Sequence, residues 1–256
     1  MSSRKYTQYV RQIVLPKPGS RKGDNGRVLV IGGSKLFHAA SFWAASAASK
    51  IVDMVHFSSP AMENNELMRV RAKQKFWDGI VVPWEEVEHY IEEDDAILIG
   101  PGMERGEETR TLVNQLLTKY PTKRWVVDGG ALQMVNPKLL TETMIVTPNK
   151  REQEILGDQV PAGVTILAKG MVDVVKQGDE RVEVPGGNPG MTKGGTGDVL
   201  SGIVVGLYAK SPAVAAAVAG SYVNKLAGDR AAHKYEIFYS AGDLLAELRS
   251  VLATTF

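Results

Sequence analysis

Short runs rich in β-branched residues, each stopped by a turn and followed by a helix-spaced stretch, recur through the first half of this chain. Residues 27–31 stop at Gly32-Gly33-Ser34, and 39–52 follow with Ala, Phe and Trp at helical intervals. The order repeats as strand 53–57, helix near 62–71, strand 79–82 and helix 85–92. Strand 96–99 then runs into Gly100-Pro101-Gly102, helix 107–119 follows, and strand 124–127 ends in Asp128-Gly129-Gly130. Parallel neighbours need long crossovers, and the helices supply them. The pattern therefore predicts an α/β chain with a three-layer α/β/α fold and a largely parallel central sheet.

Past residue 140 the rhythm tightens. Short strand-like runs at 144–146, 164–168, 173–176 and 181–184 follow closely, the last two separated by Gln177-Gly178-Asp179-Glu180, which predicts a β-hairpin. A glycine-rich stretch, 186–198, comes next, then an apolar helical run at 199–208, and helices from 212 onward. No linker, repeat or low-complexity tract interrupts this order, so one domain is expected over 1–256, with 1–20 as a solvated N-terminal leader segment.

Composition narrows the chemistry. The net charge of +1 gives no global attraction to nucleic acid or to an anionic membrane. With no cysteine there is no thiolate nucleophile, disulfide or Cys-ligated metal, and the four histidines lack ligand spacing. The N-terminus lacks the apolar core of a secretory signal. The two most apolar stretches, 199–209 and 213–223, are broken by Lys210-Ser211-Pro212, each short of the roughly 18–20 residues that span a bilayer. A cytoplasmic protein with no nucleic-acid or membrane partner is expected.

The segment with most chemical content is Lys193-Gly194-Gly195-Thr196-Gly197-Asp198, which leads into the apolar run. Glycines let successive backbone N–H groups converge on an anion, and a helix N-terminus adds partial positive charge. The loop is neither a Walker loop nor Gly-x-Gly-x-x-Gly, because Leu200 stands at the third glycine position. Asp198 beside such a nest would be repelled by a bound phosphate, which suggests a base that accepts a proton from an attacking hydroxyl. A simple N-cap of the next helix is the other reading. Turns after strands, at Gly32, Gly100, Asp128 and Thr147-Pro148-Asn149, would form one rim of a cleft. Asn149 and Glu152 either meet a bound Mg2+ through water or form a capping box. Lys169-Gly170 holds a nucleotide or is an exposed turn, and Phe42 and Trp43 read as core.

Together, Lys169-Gly170, Asn188-Pro189-Gly190-Met191 and Gly194-Gly195-Thr196-Gly197-Asp198 with Leu200-Ser201-Gly202 resemble the ADP/ATP-dependent NAD(P)H-hydrate dehydratases, members of the ribokinase-like superfamily. Lys22-Gly23-Asp24-Asn25-Gly26-Arg27, Ala227-Gly228-Asp229 and Ser240-Ala241-Gly242-Asp243-Leu244 extend the resemblance over roughly residues 15–250. The chain departs from the family pattern at Asn149, where the family usually has His. It also departs at Ala39-Ala40-Ser41 in place of Gly-Ala-Pro, and at Gly130 in place of a second acid.

The resemblance implies repair of hydrated nicotinamide nucleotides, NADHX or NADPHX, with ADP or ATP as phosphoryl donor and Mg2+. It implies Asp198 as base for the C6 hydroxyl and the backbone of Gly195, Thr196 and Gly197 around the transferring phosphoryl group. Lys169, Gly170, Met171, Val172, Asp173 and Gly197 would hold the AMP part of the donor. Ala40, Gly102, Asn149 and Asp198 would hold the hydrate, and Glu152 would meet the metal through water. A separate epimerase partner and a homo-oligomeric state are also implied. Two other readings fit the residues: a ribokinase-like kinase whose product keeps its phosphate, and a nucleotide-binding regulator without turnover.

Overall fold

The computed structural model describes residues 6–75 and 78–256. Its strands are β1 (Arg27–Ile31), β2 (Met54–Ser58), β3 (Gly79–Val81), β4 (Ala96–Ile99), β5 (Arg124–Val127), β6 (Met144–Val146), β7 (Thr165–Ala168), β8 (Asp173–Gln177) and β9 (Glu180–Val184). They form one nine-stranded sheet in the order β3-β2-β1-β4-β5-β6-β7-β8-β9. Every pairing from β3 to β7 is parallel, and β8 and β9 add on antiparallel. The chain order reverses across β1 and β4, a switch point beside which α/β sheets open a crevice at the carboxyl ends of their strands.

The helices are α1 (Thr7–Val10), α2 (Ala39–Ala48), α3 (Met62–Lys75), α4 (Val87–Glu93), α5 (Glu107–Lys119), α6 (Gly129–Met134), α7 (Lys150–Leu156), α8 (Thr196–Tyr208), α9 (Ala213–Tyr235) and α10 (Ala241–Thr255). Alternate residues of each inner strand face opposite layers, the two-residue period of a strand. Val28, Val30, Leu98 and Val126 pack with the residues of α2, α8, α9 and α10. Leu29, Ile31, Ile97, Ile99 and Val127 pack with those of α4, α5, α6 and α7. Strands buried on both faces read as continuous apolar runs for this reason.

Helix α8 is buried around its whole circumference from Val199 to Tyr208, between the sheet, α2 and α9. A Cβ on Gly202 would lie 2.2 Å from the Ala44 carbonyl oxygen, so only glycine lets α2 and α8 approach this closely. This places the start of α8 at the carboxyl ends of the central strands. No helix among the described residues is long and apolar enough to cross a membrane.

Three local expectations change. Helix α2 stops at Ala48, because the chain turns so that Asp53 N–H can donate to the Gly26 carbonyl and enter β2. Helix α8 begins at Thr196 rather than at 199, so Thr196, Gly197 and Asp198 are its first turn. The leader segment is not simply solvated: Tyr9 and Ile13 are buried in the core and the Tyr9 hydroxyl bonds to Glu180, while Lys17, Arg21 and Lys22 stay exposed.

Candidate active site

Three acidic groups and one lysine meet where β5, β6 and β7 end. Asp128 follows β5 and is buried, Glu152 lies in the first turn of α7, and Lys169 follows β7. Lys169 Nζ lies 2.9 Å from Asp128 Oδ1 and 3.9 Å from Glu152 Oε2. Burial opposes the lysine's charge, but Asp128, Glu152 and Asp198 outweigh it and hold its pKa above the ordinary value. Asp198 is pushed up to about 7, first by burial and then by the neighbouring Asp128 charge, with Lys169 pulling the other way. A carboxylate poised near neutrality can take a proton and return it within one turnover.

The backbone beside Asp198 turns sharply into α8, a geometry that can receive an anion. Gly195 has φ +95°, and a Cβ there would stand 2.7 Å from Ala241 Cβ and 2.9 Å from Trp43 Cδ1, so both conformation and space demand glycine. Thr196 Oγ1 donates to the carbonyls of Met191 and Lys193, drawing the loop onto the helix start. The Thr196 N–H donates to the Lys193 carbonyl at 3.4 Å, and the first turn of a helix leaves its N–H groups without acceptors inside the helix. Gly195 is the N-cap of α8, so Asp198 is its third residue and the simple N-cap reading is overturned. Trp43 is more than core filling, since its ring walls the Gly195 turn.

Against this end opens a cavity of roughly 560 Å³. One wall is the segment after β7, with Lys169, Gly170, Met171 and Asp173; the opposite wall is Gly186 to Thr192; the floor is Thr196, Gly197, Leu200, Asn224 and Lys225. Gly170 N–H donates to Asp173 Oδ1 at 2.9 Å, and Ser221 Oγ donates to the other Asp173 oxygen at 2.7 Å. Lys225 Nζ, buried, donates to the carbonyls of Gly170, Met171 and Gly186 and pairs with Asp173. It thus ties both walls to α9. Asp173 is consumed in this framework, Met171 is exposed at the rim, and Val172 is exposed and absent from the lining.

Ala40, at the start of α2, and Gly102, after β4, are brought together: a Cβ on Gly102 would stand 3.2 Å from Ala40 Cβ. Asn149 and Glu152 form a capping box. Glu152 N–H donates to Asn149 Oδ1, and Asn149 N–H donates to Glu152 Oε2. Gln133 Nε2 donates to the other Glu152 oxygen. Lys169 is a paired residue, not an exposed turn lysine. Among the described residues no cluster of three or more His, Asp or Glu is arranged to hold a metal, and His56 is buried against Asp94.

The sequence reading did not single out Asn224 or Lys225, nor pair Asp128 with Lys169. The available signal was a set of polar residues, Ser221, Asn224 and Lys225, set into an alanine-rich helix that must be buried.

Comparison with known proteins agrees with this architecture. A family model described as NAD(P)H-hydrate dehydratase matches residues 28–250. The bifunctional NAD(P)H-hydrate repair enzyme Nnr of Methanocaldococcus jannaschii is 34% identical over 91% of this chain and 49% of its own length. The Nnr enzyme of Pyrobaculum aerophilum is likewise 34% identical over 52% of its length, so the chain spans about half of these relatives. The ADP-dependent (S)-NAD(P)H-hydrate dehydratase of Cenarchaeum symbiosum is 31% identical over 91% of this chain and 90% of its own. A ribokinase-like superfamily protein of Enterococcus faecalis shares the fold, with a TM-score of 0.84 at 24% identity over 97% of this chain and 94% of that one. The ADP/ATP-dependent NAD(P)H-hydrate dehydratase of Bacillus subtilis, co-crystallized with ATP/Mg2+, also shares it, with a TM-score of 0.81 at 20% identity over 99% and 98%. On the match to residues 28–250 and these relatives, the chain belongs to the NAD(P)H-hydrate dehydratase family.

Proposed function

We propose that this protein dehydrates the hydrated nicotinamide nucleotides NADHX and NADPHX, in their S form, back to NADH and NADPH, spending ADP or ATP as phosphoryl donor. The observation that carries this reading is Asp198, a carboxyl with its pKa pushed up to about 7 in the first turn of α8, beside an anion nest and a nucleotide-sized cavity.

The donor's AMP part lies in the cavity between Lys169-Gly170-Met171 and the Gly186 wall, and its terminal phosphate reaches the N–H groups at Gly195, Thr196 and Gly197. The hydrate enters from the Ala40, Gly102 and Asn149 side, with its C6 hydroxyl toward Asp198. Asp198 takes the hydroxyl proton as the oxygen attacks phosphorus; the phosphoanhydride bond breaks and the donor leaves one phosphate shorter. The C6–O bond then breaks with its electron pair on the departing phosphate, which takes up the proton lost from the adjacent ring carbon as the dihydronicotinamide is restored. The elements of water leave within the phosphate.

Lys169 keeps Asp198 ionisable by offsetting Asp128 and Glu152. Both Glu152 oxygens already accept protein hydrogen bonds, so a Mg2+ ion carried by the donor's phosphates would meet Glu152 through water. The ion would neutralise phosphate charge. As expected for this family, an epimerase acting on the R form and a homo-oligomeric assembly complete the proposal.

The test is to mix the purified chain and Mg2+ with NADHX and follow the near-ultraviolet absorbance of the dihydronicotinamide ring, with ADP and ATP in parallel. A nucleotide-dependent rise supports the reading and identifies the donor. No rise from folded protein that binds ADP overturns it, and a phosphorylated product that keeps its phosphate would assign a kinase instead.

A further inference from the structure

Seven polar side chains line the cavity beside Asp198, and six have protein partners. Lys169 pairs with Asp128, Asp173 with Ser221, and Lys225 with three carbonyls. Asn188 accepts from Tyr239 and donates to Asp229, while Thr192 and Thr196 donate to backbone carbonyls. Asn224 alone has none: it is 4% exposed, and its Oδ1 is buried without a hydrogen-bond partner among the described residues. Burying an amide in this state is unfavourable unless something satisfies it. The other buried polar residues of α9 that flank it, Ser221 and Lys225, both have protein partners, which leaves Asn224 as the exception.

Lys169, Thr196 and Gly197 line the cavity beside Asp198, and apolar Met171, Pro189, Met191 and Leu200 line it together with Asn224. Gly220, one turn before Asn224 on α9, packs on Val204 of α8, and Gly228, one turn after it, packs on Met191. That combination, flat apolar walls with one free amide, suits a purine base. An amide offers an acceptor and a donor side by side, the complement of the N6 amine and N7 of adenine. Guanine and hypoxanthine carry a carbonyl at C6, so one of the two contacts is always repulsive whichever way the amide turns.

We propose that Asn224 is the residue that selects adenine in the phosphoryl donor, its Oδ1 accepting from the N6 amine and its Nδ2 donating to N7. The assignment rests on the nucleotide-donor reading above. It predicts specificity for the base and leaves the chemistry at Asp198 untouched.

The experiment is calorimetric titration of the full chain with ADP, inosine diphosphate and 7-deaza-ADP, for the natural protein and for Asn224→Asp and Asn224→Leu. The natural protein should bind ADP about tenfold or more tighter than either analogue. Asn224→Asp keeps an acceptor for N6 but has no donor for N7, so its preference over 7-deaza-ADP should vanish. Asn224→Leu should bind all three within about threefold of one another. Equal binding of the three by the natural protein overturns the assignment while the donor reading stands; this arm needs no variant to fold. A preference that survives Asn224→Asp, or an equal weakening of all three nucleotides in both variants, overturns it too, because a merely structural residue would act that way. If the natural protein binds none of them, the donor reading falls and takes this assignment with it.

Discussion

Lys169 Nζ stands 2.9 Å from Asp128 Oδ1, across 41 residues of chain, and this contact sets the charge state of the site. Burial raises the pKa of Asp198 most, Asp128 raises it further and Lys169 lowers it, so the two partners act on this carboxyl in opposite directions. Replacing Lys169 with Met leaves three carboxylates facing one another. The acid limb of the kcat/KM profile should move above its natural position, and the protein should lose about 2–4 kcal/mol of stability, reduced from a fully buried pair by the lysine's partial exposure. Kinetics against pH and chemical denaturation check the two effects separately.

In the natural protein kcat/KM should rise with pH through about 7, because Asp198 acts ionised. A flat profile across neutrality would remove Asp198 as the base.

Asp198→Asn should lower kcat about 10²–10⁴-fold while ADP still binds. It should also stabilise the fold at alkaline pH. The native carboxyl titrates near 7 and the unfolded one near the ordinary 3.8, so the native state holds the extra proton between those limits and its stability falls as pH rises through them. The melting temperature of the variant should therefore exceed that of the natural protein by clearly more at about pH 8 than at about pH 5. A gain of the same size at both would argue against the shifted pKa.

Gly195→Ala meets a backbone at φ +95° and neighbours 2.7 Å and 2.9 Å away on α10 and α2. A cost of about 1–3 kcal/mol is expected, with turnover falling further than stability as the nest deforms. A variant as active as the natural protein would show that the nest does not hold the transferring group.

Lys225→Met releases the three carbonyls that tie the cavity walls to α9. The KM for nucleotide should rise about tenfold with kcat within about threefold, since Lys225 shapes the donor site without reaching the reacting atoms. A fall in kcat alone would contradict that division.

The sheet and its helices were legible because strand and helix periods are local, and a β-branched run that stops at glycine carries its own boundary. The glycine turn that opens α8 was legible for the same reason, since Gly195 through Asp198 are consecutive. Asp198 was harder: its loop allowed either a base or an N-cap, and the start of α8 at Thr196 removes the N-cap, while the base remains the proposal above. The Asn149–Glu152 capping box was written in the spacing, whereas Glu152's third partner, Gln133, comes from another helix.

From its sequence alone, then, this chain determined its layered α/β architecture, its glycine-rich loop and its carboxylate candidate, all properties of neighbours along the backbone. Tertiary structure alone decided that Lys169 neutralises Asp128, that Lys225 clamps two loops, and that Asn224 is left without a partner. Those contacts join residues tens of positions apart, and they exist only once the crossovers and the packing of α9 bring the strand ends and helix faces into one cavity, where low solvent access makes each charge and each unpaired amide count.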